Sequence, residues 1–238
     1  MKSAQHFLSR SAADSHLLPH SQFNRVSSGV PSSSWMRDRR ILQRLCVFCG
    51  SNSGHRAIYR EAATALGRLI AERGIELVYG GGHVGLMGAL ADAALAANGR
   101  VIGVMPQSLI DREVGHAGLS EMRIVGSMHE RKALMVELAD GFIALPGGYG
   151  TLDEFCEVLT WAQLGIHTKP CGILNVNGYY DALLALFERT VDEGFLKAIH
   201  SDMIVVESDP AALLADLEKA PAVAVSKWIT PGVEKAMP

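Results

Sequence analysis

From Leu45 onward the chain alternates short apolar runs with longer stretches in which apolar residues recur every three to four positions. The runs are LCVFCG, ELVYGGG, VIGVMP, GFIALPGG, CGILNV and MIVV. Short apolar runs bounded by Gly, Pro or Asn read as buried strands, and the amphipathic stretches between them as helices. The spacing predicts helices over about 55–73, 85–98, 127–140, 151–165, 178–193 and 209–219. Strand and helix in regular alternation give an α/β fold: a Rossmann-like, doubly wound parallel sheet in a three-layer α/β/α arrangement. Ligands in such folds bind at the carboxyl ends of the strands. The expectation therefore falls on three loops that follow strands and are rich in Gly or small polar residues, CGSNSG, GGGHVG and PGGYG.

Residues 1–40 break the pattern. They are serine-rich and carry Arg10, Arg25, Arg37, Arg39 and Arg40 against Asp14 and Asp38, with no long hydrophobic period. They read as a disordered or loosely ordered N-terminal extension, or as the product of a start codon placed too far upstream; the same bias also fits an organelle presequence. The expected plan is an extension over 1–40, one Rossmann-like domain over 41–220 and a tail over 221–238.

Composition narrows the function. With 238 residues, 48% hydrophobic and 20% charged, the chain can bury one substantial core as a soluble globular protein. A net charge of −3 exerts no general pull on nucleic acid or an anionic membrane, so neither is an expected partner and any anion site must be local. Cys46, Cys49, Cys156 and Cys171 are too few and scattered for a disulfide framework, which implies a reducing, cytoplasmic setting. Cys46 and Cys49 form a C-x-x-C, but strand geometry sends those positions to opposite faces and no second pair exists. No metal site is expected.

Gly80, Gly82 and Gly85 match G-x-G-x-x-G after a strand and before a helix. The acid expected about twenty residues on, at the end of the next strand, to hold the ribose of NAD is missing, since VIGVMP runs into Gln107 with no acid until Asp111. A nucleotide fits and NAD does not, unless the glycines serve only tight packing. In SMHERKALMVEL, Ser127 and Glu130 have capping-box spacing. Arg131 then lines up with Met128, Leu134, Met135 and Leu138 on the core-facing stripe. A guanidinium there either snorkels to water or meets an anion, because an unmatched buried charge is costly. In LPGGYGTLDEF, Gly147, Gly148 and Gly150 free the backbone for positive φ and close approach, and a helix starting at Thr151 would offer its N–H groups to a phosphate. Thr151 and Glu154 again have capping-box spacing; alternatively, Glu154 is the anion that Arg131 requires. Kept ionised by an Arg and a helix N-terminus, such a Glu can orient water or stabilise a cationic sugar carbon.

GGGHVGLMG, SMHERKALM and PGGYGTLDE followed by LTWAQLGIH resemble the Lonely Guy family, the cytokinin riboside 5′-monophosphate phosphoribohydrolases long mislabelled as lysine decarboxylases. The resemblance covers about Leu45 to Leu217. It implies hydrolysis of the N-glycosidic bond of an adenine-type nucleoside 5′-monophosphate, N6-prenylated or plain AMP, to free base and ribose 5-phosphate. By position it implies Arg131 and Glu154 as the catalytic pair, Lys132 as a nucleotide contact and Gly147, Gly148, Tyr149, Gly150 and Thr151 as the phosphate loop. Glu113 and Thr160 match further substrate positions, and Gly81, Gly82 and Met87 of the first glycine segment are expected beside the substrate as well. No cofactor is implied, the partner is a small-molecule nucleoside monophosphate, and the family pattern is a homodimer with its site near the interface. His129 and His83 are candidates for the acid that protonates the leaving base, or structural histidines. Two other readings are a nucleotide-binding sensor or carrier without catalysis, and a pyridoxal-phosphate decarboxylase, for which Lys132 and Lys169 are poor Schiff-base candidates.

Overall fold

The computed structural model describes residues 40–111 and 115–221. The extension, the tail from 222 and Glu113 lie outside the described residues. Seven parallel strands form one sheet: β1 (Arg44–Phe48), β2 (Glu76–Tyr79), β3 (Val101–Pro106), β4 (Glu121–Val125), β5 (Gly141–Ala144), β6 (Cys171–Leu174) and β7 (Ile204–Glu207). Their order is β4-β3-β2-β1-β5-β6-β7, so the chain winds outward one way from β1 and then the other way from β5. The crevice at this reversal is where such a sheet accepts a ligand.

The period of two in each strand divides the core between the two faces of the sheet. Leu45, Val47, Leu77 and Tyr79 pack with the helices α1 (Ala57–Glu72) and α2 (Gly85–Ala96). Cys46, Phe48, Val78 and Phe142 face the other way. Between β3 and β4 lies the short α3 (Gln107–Ile110); α4 (Met128–Leu138) and α5 (Tyr149–Gln163) cover the second face. The chain then adds α6 (Asp181–Asp192), α7 (Ala198–Ser201) and α8 (Pro210–Lys219), the last joining the first face through Leu213, Leu214 and Leu217. Cys46 and Cys49 do lie on opposite faces, both buried, and burial pushes both thiols well above their ordinary range.

The six strands and six longer helices read from the hydrophobic pattern are present. Unread in the sequence are β4, α3 and α7. The β4 strand is an edge strand in which Glu121 and Arg123 alternate with Met122 and Ile124, and Ile124 is itself 54% exposed. It pairs with β3 from Ile102 opposite Glu121 to Pro106 opposite Val125, Arg100 Nη2 meets Glu121 Oε2 at 2.7 Å, and the strand lacks the apolar run that marks a buried one.

Two helix starts behave differently. Ser127 caps α4 as expected, its hydroxyl accepting from the Glu130 N–H at 3.2 Å, while Glu130 accepts instead from the N–H of Gly126 at 2.8 Å. By contrast α5 begins at Tyr149 with Gly148 as N-cap, two residues earlier than the expected start at Thr151, so Thr151 and Glu154 form no capping box. On α4, Arg131 and Met135 are buried but Met128, at the exposed first turn, is 44% exposed, so the inward stripe starts at Arg131.

The first face is closed by direct backbone approach. A Cβ on Gly67 of α1 would stand 2.2 Å from the carbonyl oxygen of Leu90 on α2, so only glycine permits the helices to lie this close. Gly67→Ala is expected to push α1 from α2 and cost about 1–3 kcal/mol, as overpacking does; thermal or urea unfolding reads this as a lowered midpoint.

Candidate active site

The loops after β3, β2, β1, β5 and β6 meet over the crevice and enclose a cavity of about 540 Å³, within the usual range of a small-molecule site. Gly50, at the end of β1, ties three of them together. Its N–H donates to Pro146 O at 3.1 Å and its carbonyl accepts from Leu86 N–H, at the start of α2, at 3.0 Å. Gly85 takes φ +65, and a Cβ there would lie 2.3 Å from the Ser51 backbone. The loop after β5 is pinned from below, Tyr180 Oη donating to Leu145 O and Tyr179 Oη to Gly147 O, each at 2.6 Å.

Arg131 and Glu154 form one wall. Their exposures are only 8% and 9%. The Arg131 Nη1 donates to Glu154 Oε1 at 2.8 Å, its Nε to Val104 O at 2.9 Å and its Nη2 to Gly80 O at 3.4 Å. A Cβ on Gly80 would stand 2.0 Å from Nη2, so the guanidinium occupies space that only glycine leaves open. The anion that the inward Arg required is thus Glu154. Burial is the main influence on the Glu154 carboxyl and pushes its pKa up; Arg131 opposes this and Asp153 adds to it. The sequence expectation counted only the partners that favour the ionised form, and removal from water works against them.

Beside this pair lies the open end of α5. The first intrahelical bond at that end runs from Leu152 N–H to Gly148 O at 3.1 Å. The preceding N–H groups of Gly148, Tyr149, Gly150 and Thr151 have no backbone partner among the described residues, and all four residues line the cavity. Such an end is a natural anion site. The three glycines do not supply it through positive φ, as expected from the sequence, since none of them adopts it. They supply space. Nothing lies within 4 Å of a Cβ built on Gly148 or Gly150, whereas one on Gly147 would meet Thr151 Oγ1 at 2.1 Å.

Arg131, Glu154, Met87 and Gly147 through Thr151 are therefore brought to one cavity. Tyr149 reaches it from an otherwise exposed position, at 93%. Four expected contacts are not brought there. Lys132 turns to Asp153 and Glu157, at 3.1 and 3.2 Å. Gly81 and Gly82 are used in packing the β3 side: Gly81 O accepts from His116 N–H at 2.9 Å, and Gly82 bridges Gly115. Thr160 donates to Cys156 O at 2.8 Å and lines a separate pocket of about 260 Å³ between α5, α6 and α7. His83 and His129 do not line the cavity either. Sequence reasoning passed over Tyr59, Leu109 and Tyr179, and named the CGSNSG loop without assigning Ser51, Asn52, Ser53 or Gly54, all of which line it. The aromatic pair after a strand end in NGYYDAL was the available signal for Tyr179. Cys49 lines the cavity floor with its buried thiol. Among the described residues no His, Cys, Asp and Glu group of three or more could hold a metal ion, and no lysine lines the cavity.

Residues 87–217 match the family model described as possible lysine decarboxylase. Among relatives, the chain is 53% identical over 176 residues to a probable cytokinin riboside 5′-monophosphate phosphoribohydrolase of Oryza sativa subsp. japonica, covering 74% of this chain and 79% of the relative. It is 51% identical over 177 residues to a cytokinin riboside 5′-monophosphate phosphoribohydrolase of Arabidopsis thaliana, covering 74% and 82%. Among solved structures, the fold is similar to a molybdenum cofactor binding protein from Rippkaea orientalis, with TM-score 0.58, 24% identity and coverage of 77% of this chain and 97% of that one. The molybdenum cofactor carrier protein of Chlamydomonas reinhardtii gives TM-score 0.58 at 20% identity, covering 74% and 96%. The structural likenesses establish the Rossmann-like fold; the sequence likenesses go further, and on them the chain belongs to the cytokinin riboside 5′-monophosphate phosphoribohydrolase family.

Proposed function

We propose that this protein hydrolyses the N-glycosidic bond of adenine-type nucleoside 5′-monophosphates, N6-prenylated AMP such as isopentenyladenosine monophosphate or AMP itself, releasing free base and ribose 5-phosphate. The observation that carries the reading is the buried Arg131 to Glu154 pair set beside the open N-terminus of α5 in one cavity. The 5′-phosphate docks on the N–H groups of Gly148 through Thr151, and binding energy from this unreacting group fixes the ribose. The bond from C1′ to the base nitrogen breaks with its electron pair leaving on the base, which takes up a proton from solvent. Water bonds to C1′ as its proton passes to the Glu154 carboxylate, which returns it to solvent before the next turnover. Burial makes that carboxylate a stronger proton acceptor than an ordinary Glu. Arg131 fixes its orientation through a guanidinium already anchored on Val104 and Gly80.

The reading includes a homodimer. Thr160 lies six residues beyond Glu154, roughly 9 Å along the helix, on the wall of the second pocket. It would reach substrate only as a residue of a second copy. Phe195, 85% exposed on that same pocket, fits a surface that such a copy covers.

Glu154→Gln is expected to lower kcat by about 10²-fold or more with little change in nucleotide affinity, read by chromatography of released base; near-normal turnover would refute the role. If the carboxylate form is the active one, activity falls as pH drops through the pKa of Glu154. Since that pKa is raised in the free protein, the acid limb of kcat/KM against pH should lie above that of an ordinary Glu. A limb at or below the usual range contradicts the assignment. Adenosine, lacking the phosphate, should show kcat/KM on the order of 10²-fold below that of AMP; equal values would remove the phosphate from the mechanism.

A further inference from the structure

The cradle over α5 depends on which way a few peptide groups face. A trans peptide is planar, so a carbonyl and the N–H of the next residue point in opposite directions. Three successive carbonyls here each accept a hydrogen bond: Leu145 O from Tyr180 Oη, Pro146 O from the Gly50 N–H, and Gly147 O from Tyr179 Oη. The third matters most for an anion. Gly147 packs on Thr151 and Gly148 O accepts from Leu152 N–H, but with no Cβ on either residue and open space beside Gly148, no side chain of their own keeps that peptide from turning over. Turned over, it would present a carbonyl oxygen to the phosphate in place of the Gly148 N–H.

We infer that Tyr179 is a positioning residue for phosphate recognition: its hydroxyl holds the Gly147 carbonyl away from the anion and so aims the Gly148 N–H into the cavity. The inference rests on the phosphate-site reading above. Tyr179 is suited to this because its ring is fixed on two sides, meeting Tyr59 edge-on at 5.8 Å and Tyr180 edge-on at 4.9 Å between ring centroids. The hydroxyl therefore acts from a braced ring. Tyr180 provides an internal comparison. Its bond to Leu145 O has the same length, but the residue that follows Leu145 is Pro146, which has no N–H to aim.

Tyr179→Phe keeps the ring contacts and removes only the hydroxyl. Binding of ribose 5-phosphate and of inorganic phosphate to the intact protein, measured by calorimetry, should weaken by about tenfold in this variant. In turnover of AMP the rise should fall on KM, with kcat changing by a smaller factor. Tyr180→Phe should lower the thermal midpoint and leave the ribose 5-phosphate affinity within about twofold of wild type. The inference is overturned if Tyr179→Phe binds ribose 5-phosphate as wild type does, if its loss falls on kcat alone, or if Tyr180→Phe weakens binding equally. Wild-type protein that binds ribose 5-phosphate but releases no base from any adenine nucleotide would overturn the proposed function alone, with the Tyr179 comparison still readable. Wild type that binds neither phosphate compound overturns both.

Discussion

The geometry of the site depends on a guanidinium placed where a core side chain would otherwise be. Arg131 sits on the inner face of α4, and burying its charge is tolerable only because three acceptors from three different elements converge on it: Val104 from β3, Gly80 after β2 and Glu154 from α5. Removing the Glu154 carboxylate would leave a buried charge without its counter-ion, which costs several kcal/mol. The requirement works in both directions. It demands a glycine at 80 and a carboxylate at 154, and it locks α5 to the sheet so that the open end of that helix faces the same cavity as the carboxylate. The positions of the reactive group and the anion cradle are thus consequences of one desolvated pair.

The cavity also depends on glycines whose common role is the absence of a side chain. Gly80 admits Arg131, Gly85 admits the Ser51 backbone, and Gly147 admits Thr151. Gly148 and Gly150 differ, because what they leave open is solvent-accessible space at the helix end. The backbone torsions draw a second division, between loops: the residues over α5 take ordinary φ values while Gly81 and Gly85, at the β2 loop, take positive ones. The two glycine-rich loops look alike in sequence and do different work.

Much of the fold was legible because buried parallel strands write continuous apolar runs. The strand β4 was not, because an edge strand with Glu121 and Arg123 on it carries no such run. The inward turn of Arg131 was legible from the helical period, although Met128 on the same stripe proved exposed, since a period identifies a face but does not say where along the helix the cover ends. The pairing with Glu154 could be argued from charge balance. The start of α5 was misplaced by two residues because T-x-x-E spacing mimics a cap, while Gly148, which caps nothing with a side chain, is the actual boundary. Tyr179 and the residues Ser51 to Gly54 were not assigned individually for a simpler reason: the NGYYDAL pair and the CGSNSG loop marked places in the chain, but their contacts join loops far apart in sequence that no local spacing encodes. Lys132 and Thr160 show the reverse case, positions flagged by family pattern that a single chain does not bring to its own cavity.

The thiol of Cys49 lies at the cavity floor, yet burial raises it far from ionisation. Reagents that trap cysteines act on the thiolate, so a cysteine-directed warhead carried into this cavity on a nucleotide scaffold should find that thiol a poor nucleophile. Peroxide, which also acts on the thiolate, should oxidise this buried thiol slowly for the same reason.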